Sequence, residues 1–365
     1  MDLPTELWGK ILEKTRSIKT CDKLYDSFSN ETRAELKEAY ESHKDHITLK
    51  MAFAFNNKLS FYNGDHLMKE IPFENIMAVK FVKNWNTPIG KRDCVVVGTI
   101  HGVIMFFDAT TLDYIFCVDI ETSLGDLEFH PTKSIMLSVR MELYGRKIKV
   151  WKFDENGNAT NVSFSVESLG EGKKYYYFHP FEPEIYVFAS NYSYNPYHRK
   201  LSKVFFCNYD MVSVSFSDRI HSFMYLNEYY TPLKINRDGS FECVKCDGGT
   251  NYFCHFVISN FEIEEIERQA ICKNRGANPI VWDFLMIGED IYFYSNRMGD
   301  SMIYKQTDYE YKIIYQTTNN ISRMFHKNEV LIFVEKEELK FVDLETLSVD
   351  VVSLGEVPVD FCVLI

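Results

Sequence analysis

The sequence predicts a mainly β protein, a seven-bladed β-propeller over residues 46–365 preceded by a small three-helix segment over residues 1–45. Three observations carry this fold class: a phenylalanine anchor recurring at blade spacing, further strand-like runs after each anchor, and a helical period confined to the start of the chain.

The anchors are Phe81 in AVKFVK, Phe129 in DLEFHP, Phe178 in YYYFHP, Phe223 in HSFMYLN, Phe284 in WDFLMIG, Phe325 in SRMFHK and Phe361 in VDFCVLI. Their spacings are 48, 49, 45, 61, 41 and 36 residues, the period of a four-stranded propeller blade. After Phe81 come DCVVVGT, a His101–Gly102 turn, VIMFFD, the turn ATTLD and YIFCVDI; after Phe129 come SIMLSVR, KIKVWKFD and NVSFSV. The FHP and IKVW runs and the Ser/Thr-rich turns resemble degenerate WD repeats, although Trp151 is followed by Lys152 and not by Asp.

Ring closure follows from the two ends of the array, because an open first and last blade leaves unpaired edges. VDFCVLI is an innermost strand with nothing after it, and HITLKMAFAF, KLSFYNG and MKEIPF are three strands with no innermost strand before them. A closing blade built from both is therefore expected. In the fifth unit FEIEEIERQAICKNRGANP lacks clean alternation, and an inserted loop or short helix is expected there.

The first 45 residues follow a different period. Leu3, Leu7 and Ile11 recur four apart beside Trp8 and Leu12, with Pro4 and Thr5 at the start, which predicts one apolar helix face. A second helix is expected over Cys21–Phe28 and a third over NETRAELKEAYESHK, with Asn30 as its cap and Leu36 and Tyr40 facing inward. LPTELWGKIL followed by two further helices at the head of a propeller resembles an F-box. That resemblance implies docking onto the Skp-type adaptor of a cullin ubiquitin ligase, with Leu3, Pro4, Leu7, Trp8, Ile11, Leu12, Leu24 and Phe28 as adaptor contacts and the propeller holding the substrate. The same helices also fit a cap packed beneath the propeller, which leaves a protein-interaction scaffold without a ligase role as the alternative.

The formal charge of −12 argues against nonspecific nucleic-acid binding. No apolar run has the length of a signal h-region or a spanning helix, so a soluble protein of the cytoplasm or nucleus is expected, with no membrane partner. The Asn-, Lys-, Tyr- and Ile-rich style resembles that of low-GC genomes, including large DNA viruses, for which the compartment is the host cell. Nine cysteines without framework spacing read as reduced thiols. Cys243, Cys246, Cys254, His255 and Cys272 have some metal-site flavour, but strand residues three apart point to opposite faces, so structural thiols and no metal are expected. No phosphate-cradling loop, nucleophile elbow or helical His pair is present, and neither catalysis nor a cofactor is expected.

In WD-type propellers the loops between second and third strands open on the face that carries the connections between blades. Entry of the chain at a second strand places the helices on the opposite face and leaves this upper one open. Its expected loops carry Arg140 and Arg146 flanking MELYG, Arg199 in NYSYNPYHRK, Arg237 in NRDGS and Arg297 in NRMGDS, with His101 in the blade before. Arginine's planar fork suits carboxylate and phosphate, and Tyr192, Tyr194, Tyr197 and His198 supply aromatic contact area. A phosphorylated or acidic segment of a protein partner is the expected ligand, and the acidic run at 335–338 interrupts the basic arc.

Overall fold

The computed structural model describes residues 23–47, 49–120, 123–142, 145–165, 174–178, 184–191, 200–208, 233–236, 238, 240–247, 250–259, 262–273, 280–297, 300–307, 310–327 and 329–364. A helical turn at 23–26 leads into α1 (Asn30–Ile47). Ser29, and not Asn30, caps α1: its carbonyl takes the Arg33 N–H at 2.8 Å and its hydroxyl takes the Thr32 N–H at 3.2 Å. Asn30 already lies inside the helix, where its amide oxygen accepts a bond from the Arg33 guanidinium at 2.7 Å. The helix runs on to Ile47, so the strand expected from His46 begins only at Lys50.

Strands then follow in antiparallel runs. β1 (Lys50–Ala54), β2 (Lys58–Asn63) and β3 (His66–Pro72) come first, then β4 (Ile76–Thr87), β5 (Gly90–Thr99), β6 (Val103–Asp108) and β7 (Tyr114–Asp119). The third run is β8 (Leu124–Phe129), β9 (Ile135–Glu142), β10 (Gly145–Phe153) and β11 (Ala159–Ser165); the fourth is β12 (Lys174–Phe178), β13 (Glu184–Asn191) and β14 (Lys200–Asn208). Next come β15 (Leu233–Ile235), β16 (Phe241–Asp247), β17 (Thr250–Ser259) and β18 (Glu262–Lys273), then β19 (Ile280–Ile287), β20 (Asp290–Arg297), β21 (Asp300–Thr307) and β22 (Glu310–Thr317). β23 (Phe325–Lys327), β24 (Val330–Glu335), β25 (Glu338–Asp343) and β26 (Val349–Ser353) precede β27 (Asp360–Leu364). Among the described residues these strands form seven sheets, six of four strands and one of three, and β27 pairs with β1 to complete the sheet β27-β1-β2-β3.

Each described anchor lies on the first strand of its sheet: Phe81 on β4, Phe129 on β8, Phe178 on β12, Phe284 on β19, Phe325 on β23 and Phe361 on β27. Phe223 lies outside the described residues. The FHP motif has a local cause, since His130 Nδ1 accepts the backbone N–H groups of Thr132 and Lys133 at 3.1 Å each and so closes the β8–β9 turn.

The fifth sheet departs from expectation, because Glu262–Lys273 is neither loop nor helix but a twelve-residue outer strand. Two bulges hid it. The β17–β18 register slips between His255 and Phe256 and again between Asn251 and Tyr252, so that Ile266 and Ile271 are left without direct partners. Each slip moves the apolar residues to the other face and breaks the period of two. Its glutamates suit an edge strand, where charge discourages pairing with another chain.

The chain divides into two compact units. The first comprises Met1–Val82, Arg92–Glu121 and Glu356–Ile365; the second comprises Lys83–Lys91 and Thr122–Gly355. In the first, Phe28 and Leu36 form a small core with Leu24, Tyr25 and Tyr40, and the Tyr25 and Tyr40 rings stack 3.8 Å apart. A larger core packs Ala52, Leu59, Phe61 and Cys362 against Val95, Val97 and Phe107, sheet face on sheet face. In the second unit β20 is buried on both faces. Ile291 and Phe293 join Val244, Phe253 and Phe284, while Tyr292 and Tyr294 join Ile303, Leu331, Phe333 and Val342. Such burial explains an unbroken apolar run where a one-sided strand alternates, and each buried aromatic contributes roughly 2–3 kcal/mol. At the tip of the β4–β5 hairpin, Trp85 packs edge-on against Phe129 and Phe153. Gly157, at φ 76°, lies so close that a Cβ there would stand 2.6 Å from Pro88 Cδ.

Candidate partner-binding surface

One repeated backbone contact organises the sheet ends. The first residue after the fourth strand donates its N–H to a carbonyl in the turn between the second and third strands of the same sheet. Phe73 donates to Asn57 at 2.9 Å, Ile120 to Gly102 at 3.0 Å and Leu354 to Glu337 at 2.8 Å. The connectors leaving these three sheets are thus held at the same end as the second-to-third-strand turns. His101 is exposed in one such turn.

Arg140 and Arg146 flank the β9–β10 hairpin, with Arg140 opposite Lys147 and Arg146 opposite Met141. Arg297 closes β20 opposite Asp300 at the corresponding hairpin of its sheet. Tyr192, Tyr194, Tyr197, His198 and Arg199 lie outside the described residues, between β13 and β14. Arg237 also lies outside them, between β15 and β16 in the sequence. The three-residue LKI is the first strand of its sheet, and the turn after it carries Asp238 and Ser240. In the same turn Asp238 accepts the Ser240 hydroxyl at 2.6 Å and the Ser240 N–H at 3.0 Å, and these bonds hold its carboxyl below the usual range.

The acidic run at 335–338 is not a uniform surface feature. Glu335 is buried, and its carboxylate takes hydrogen bonds from Tyr315, Thr317 and Asn319, which ties the end of β22 and the connector after it to β24. Glu338 is engaged by Lys340 at 2.5 Å.

The first strands of two sheets carry charge beside their phenylalanine anchors. Asp283, beside anchor Phe284, is buried; its Oδ2 takes the Met324 N–H at 2.7 Å and its Oδ1 takes the Phe284 N–H at 2.9 Å. Lys234 Nζ on β15 stands 3.6 Å from Asp283 Oδ1, donates to the Phe284 carbonyl and lies 4.5 Å above the Phe284 ring. Burial lowers the Lys234 pKa and the Asp283 charge opposes that shift. In the first unit Asp360, beside anchor Phe361, takes the Val79 N–H at 2.9 Å. The signal available in the sequence was the Asp-Phe pair at two anchors. These groups are mutually satisfied and join neighbouring first strands.

Among the described residues no three His, Cys, Asp or Glu side chains gather as a metal site. Cys243 and Cys254 are buried and stand opposite each other on β16 and β17, and burial pushes the Cys94 thiol up to about 12. Among these residues no helix is long and apolar enough to cross a membrane.

No protein-family model matches the chain, and no curated protein matches it either. Solved structures do. The β-propeller domain of Cps50 (Swd1) from Myceliophteria thermophila aligns with a TM-score of 0.51 at 8% identity, over 84% of this chain and 96% of that one. The fold is a WD40-like β-propeller. Saccharomyces cerevisiae Sqt1 aligns with a TM-score of 0.52 at 10% identity, over 87% of this chain and 86% of the other. The dihydro-heme d1 dehydrogenase NirN aligns with a TM-score of 0.51 at 7% identity, over 86% and 75%. At such identities the likeness extends to the fold and no further.

Proposed function

We propose that this propeller is the substrate-recognition subunit of an SCF-type cullin ubiquitin ligase, with the N-terminal helices docked on the Skp-type adaptor and a target protein held at the connector end. In this reading the seven sheets are seven blades, the chain itself catalyses nothing, and the protein works in the cytoplasm or nucleus. The observation that carries it is the order of parts: LPTELWGKIL, then a helix pair with its own core, then a WD40-like propeller. Arg140, Arg146 and Arg297 at second-to-third-strand hairpins support an acidic or phosphorylated target.

One observation favours a scaffold without a ligase link. Phe28 and Leu24 pack into the local helical core with Leu36, Tyr25 and Tyr40, which spends two of the eight proposed adaptor contacts inside the chain. Co-purification separates the readings. The ligase reading expects the intact protein to capture the Skp-type adaptor and cullin, and expects Leu7→Asp with Ile11→Asp to abolish that capture. Failure of the wild type to capture them, or capture unchanged in the double variant, leaves the scaffold.

A further inference from the structure

The connector end of the first unit exposes a group of aliphatic side chains. Met77 is 40% exposed, Ile100 42%, Val357 61% and Val359 46%. They stand on three different segments that hydrogen bonds hold together. The Ile100 N–H binds the Asn75 carbonyl at 2.8 Å, two residues before Met77. The Val359 N–H binds the Ala54 carbonyl at 2.7 Å, and Asp360, the next residue, holds Val79 at 2.9 Å. Gathered apolar exposure of this kind, on backbone fixed by hydrogen bonds and rimmed by polar groups, marks an interaction site more than scattered surface valines do.

The rim is acidic. Glu74 and Asp119 are exposed, the first beside Asn75 and the second opposite Val103 at the edge of the Ile100 turn. Glu70 and Glu356 have side chains 45% and 39% exposed. Against them stands Lys58, 24% exposed and held between Glu70 at 3.1 Å and Glu356 at 3.2 Å; Lys80, farther along β4, is partly buried. The uncovered aliphatic groups therefore sit in a negative field, on a chain of net charge −12. Such a field repels phosphate, whether in nucleic acid or in anionic headgroups, and attracts lysine and arginine.

We propose that this end of the first unit binds a short segment of a partner protein that presents two or more aliphatic side chains flanked by lysine or arginine. The inference rests on the partner-holding half of the proposed function and is independent of the adaptor half. Its ligand has the opposite charge to the one suggested for the arginine hairpins of the second unit, so the two surfaces are distinguishable by peptide chemistry.

The test pans the full-length chain against random twelve-residue peptide libraries, one unmodified and one carrying a central phosphoserine. The strongest peptides are then titrated by fluorescence anisotropy. The expected winners carry Leu, Ile or Val with Lys or Arg on either side. Ile100→Asp with Val357→Asp weakens their binding by about tenfold or more, and Glu74→Lys weakens it severalfold at low salt. Ile100→Ser with Val357→Ser serves as a second pair, because both positions are exposed and their replacement leaves the melting curve in place. The proposal is overturned if no aliphatic peptide flanked by lysine or arginine is enriched from the unmodified library, or if both double variants bind such peptides as the wild type does. Concentration-dependent self-association that both double variants abolish assigns the patch to a second copy and overturns it equally. Adaptor capture measured beside the titrations keeps a failure here distinct from a failure of the ligase reading.

Discussion

In the first unit Asp360 takes the backbone N–H of Val79 at 2.9 Å. In the second, Asp283 takes two backbone N–H groups and also stands beside Lys234, whose side chain is 30% exposed. Both aspartates precede a phenylalanine on a first strand, and both supply the acceptor that a neighbouring strand's backbone requires. The difference teaches that one linking device can carry very different consequences when removed. Loss of Asp360 removes the acceptor of the Val79 N–H, whereas loss of Asp283 removes the acceptor of the Met324 N–H from beside a half-buried cation.

The largest effect is therefore expected for Asp283→Ala, about 3 kcal/mol lost in urea unfolding, since Lys234 and the Met324 N–H lose their acceptor at once. Asp360→Ala is expected to cost about 1–2 kcal/mol by the same measurement; equal costs for the two variants break the comparison and remove Lys234 from the account. Glu335→Gln sharpens it through pH. Burial pushes the Glu335 carboxyl up, but hydrogen bonds from Thr317, Tyr315 and Asn319 and the charge of Lys340 bring it net below its ordinary value of 4.5. A carboxyl lowered in the fold contributes stability that is full above its unfolded pKa and is lost as pH falls through the folded one. Glu335→Gln is accordingly expected to cost about 1 kcal/mol at neutral pH and to flatten the acid limb of a stability profile measured below pH 4.5; parallel acid limbs refute the assignment. Lys234→Met is expected to shift stability least, within about 1 kcal/mol of zero, because the lost ion pair is offset by the desolvation that no longer opposes folding. Combined with Asp283→Ala it should recover part of that variant's loss, and a strictly additive double-mutant cycle shows the pair to be uncoupled.

The strands around the anchors were legible wherever the pleat ran undisturbed. DCVVVGT, VIMFFD and YIFCVDI correspond to β5, β6 and β7 because alternation and turn residues are local properties of the chain. Legibility failed at Ile266 and Ile271, where bulges change which residues share a face, and at LKI, too short to carry a period. The candidate surface was readable only as a class of loops. Which aliphatic residues stand uncovered there, Ile100 and Val357 among them, depends on the partners of their neighbours and not on their own types.

By itself the sequence determined the class of fold, since seven phenylalanine-centred runs with strand periods between them leave few alternatives to a repeated antiparallel sheet. Tertiary structure alone decided what the charged residues do. Asp360 meets Val79 across 281 residues of chain and Asp283 meets Met324 across 41. No local pattern carries such a pairing, because a carboxylate's partner is set by whichever strand folding brings within hydrogen-bond reach.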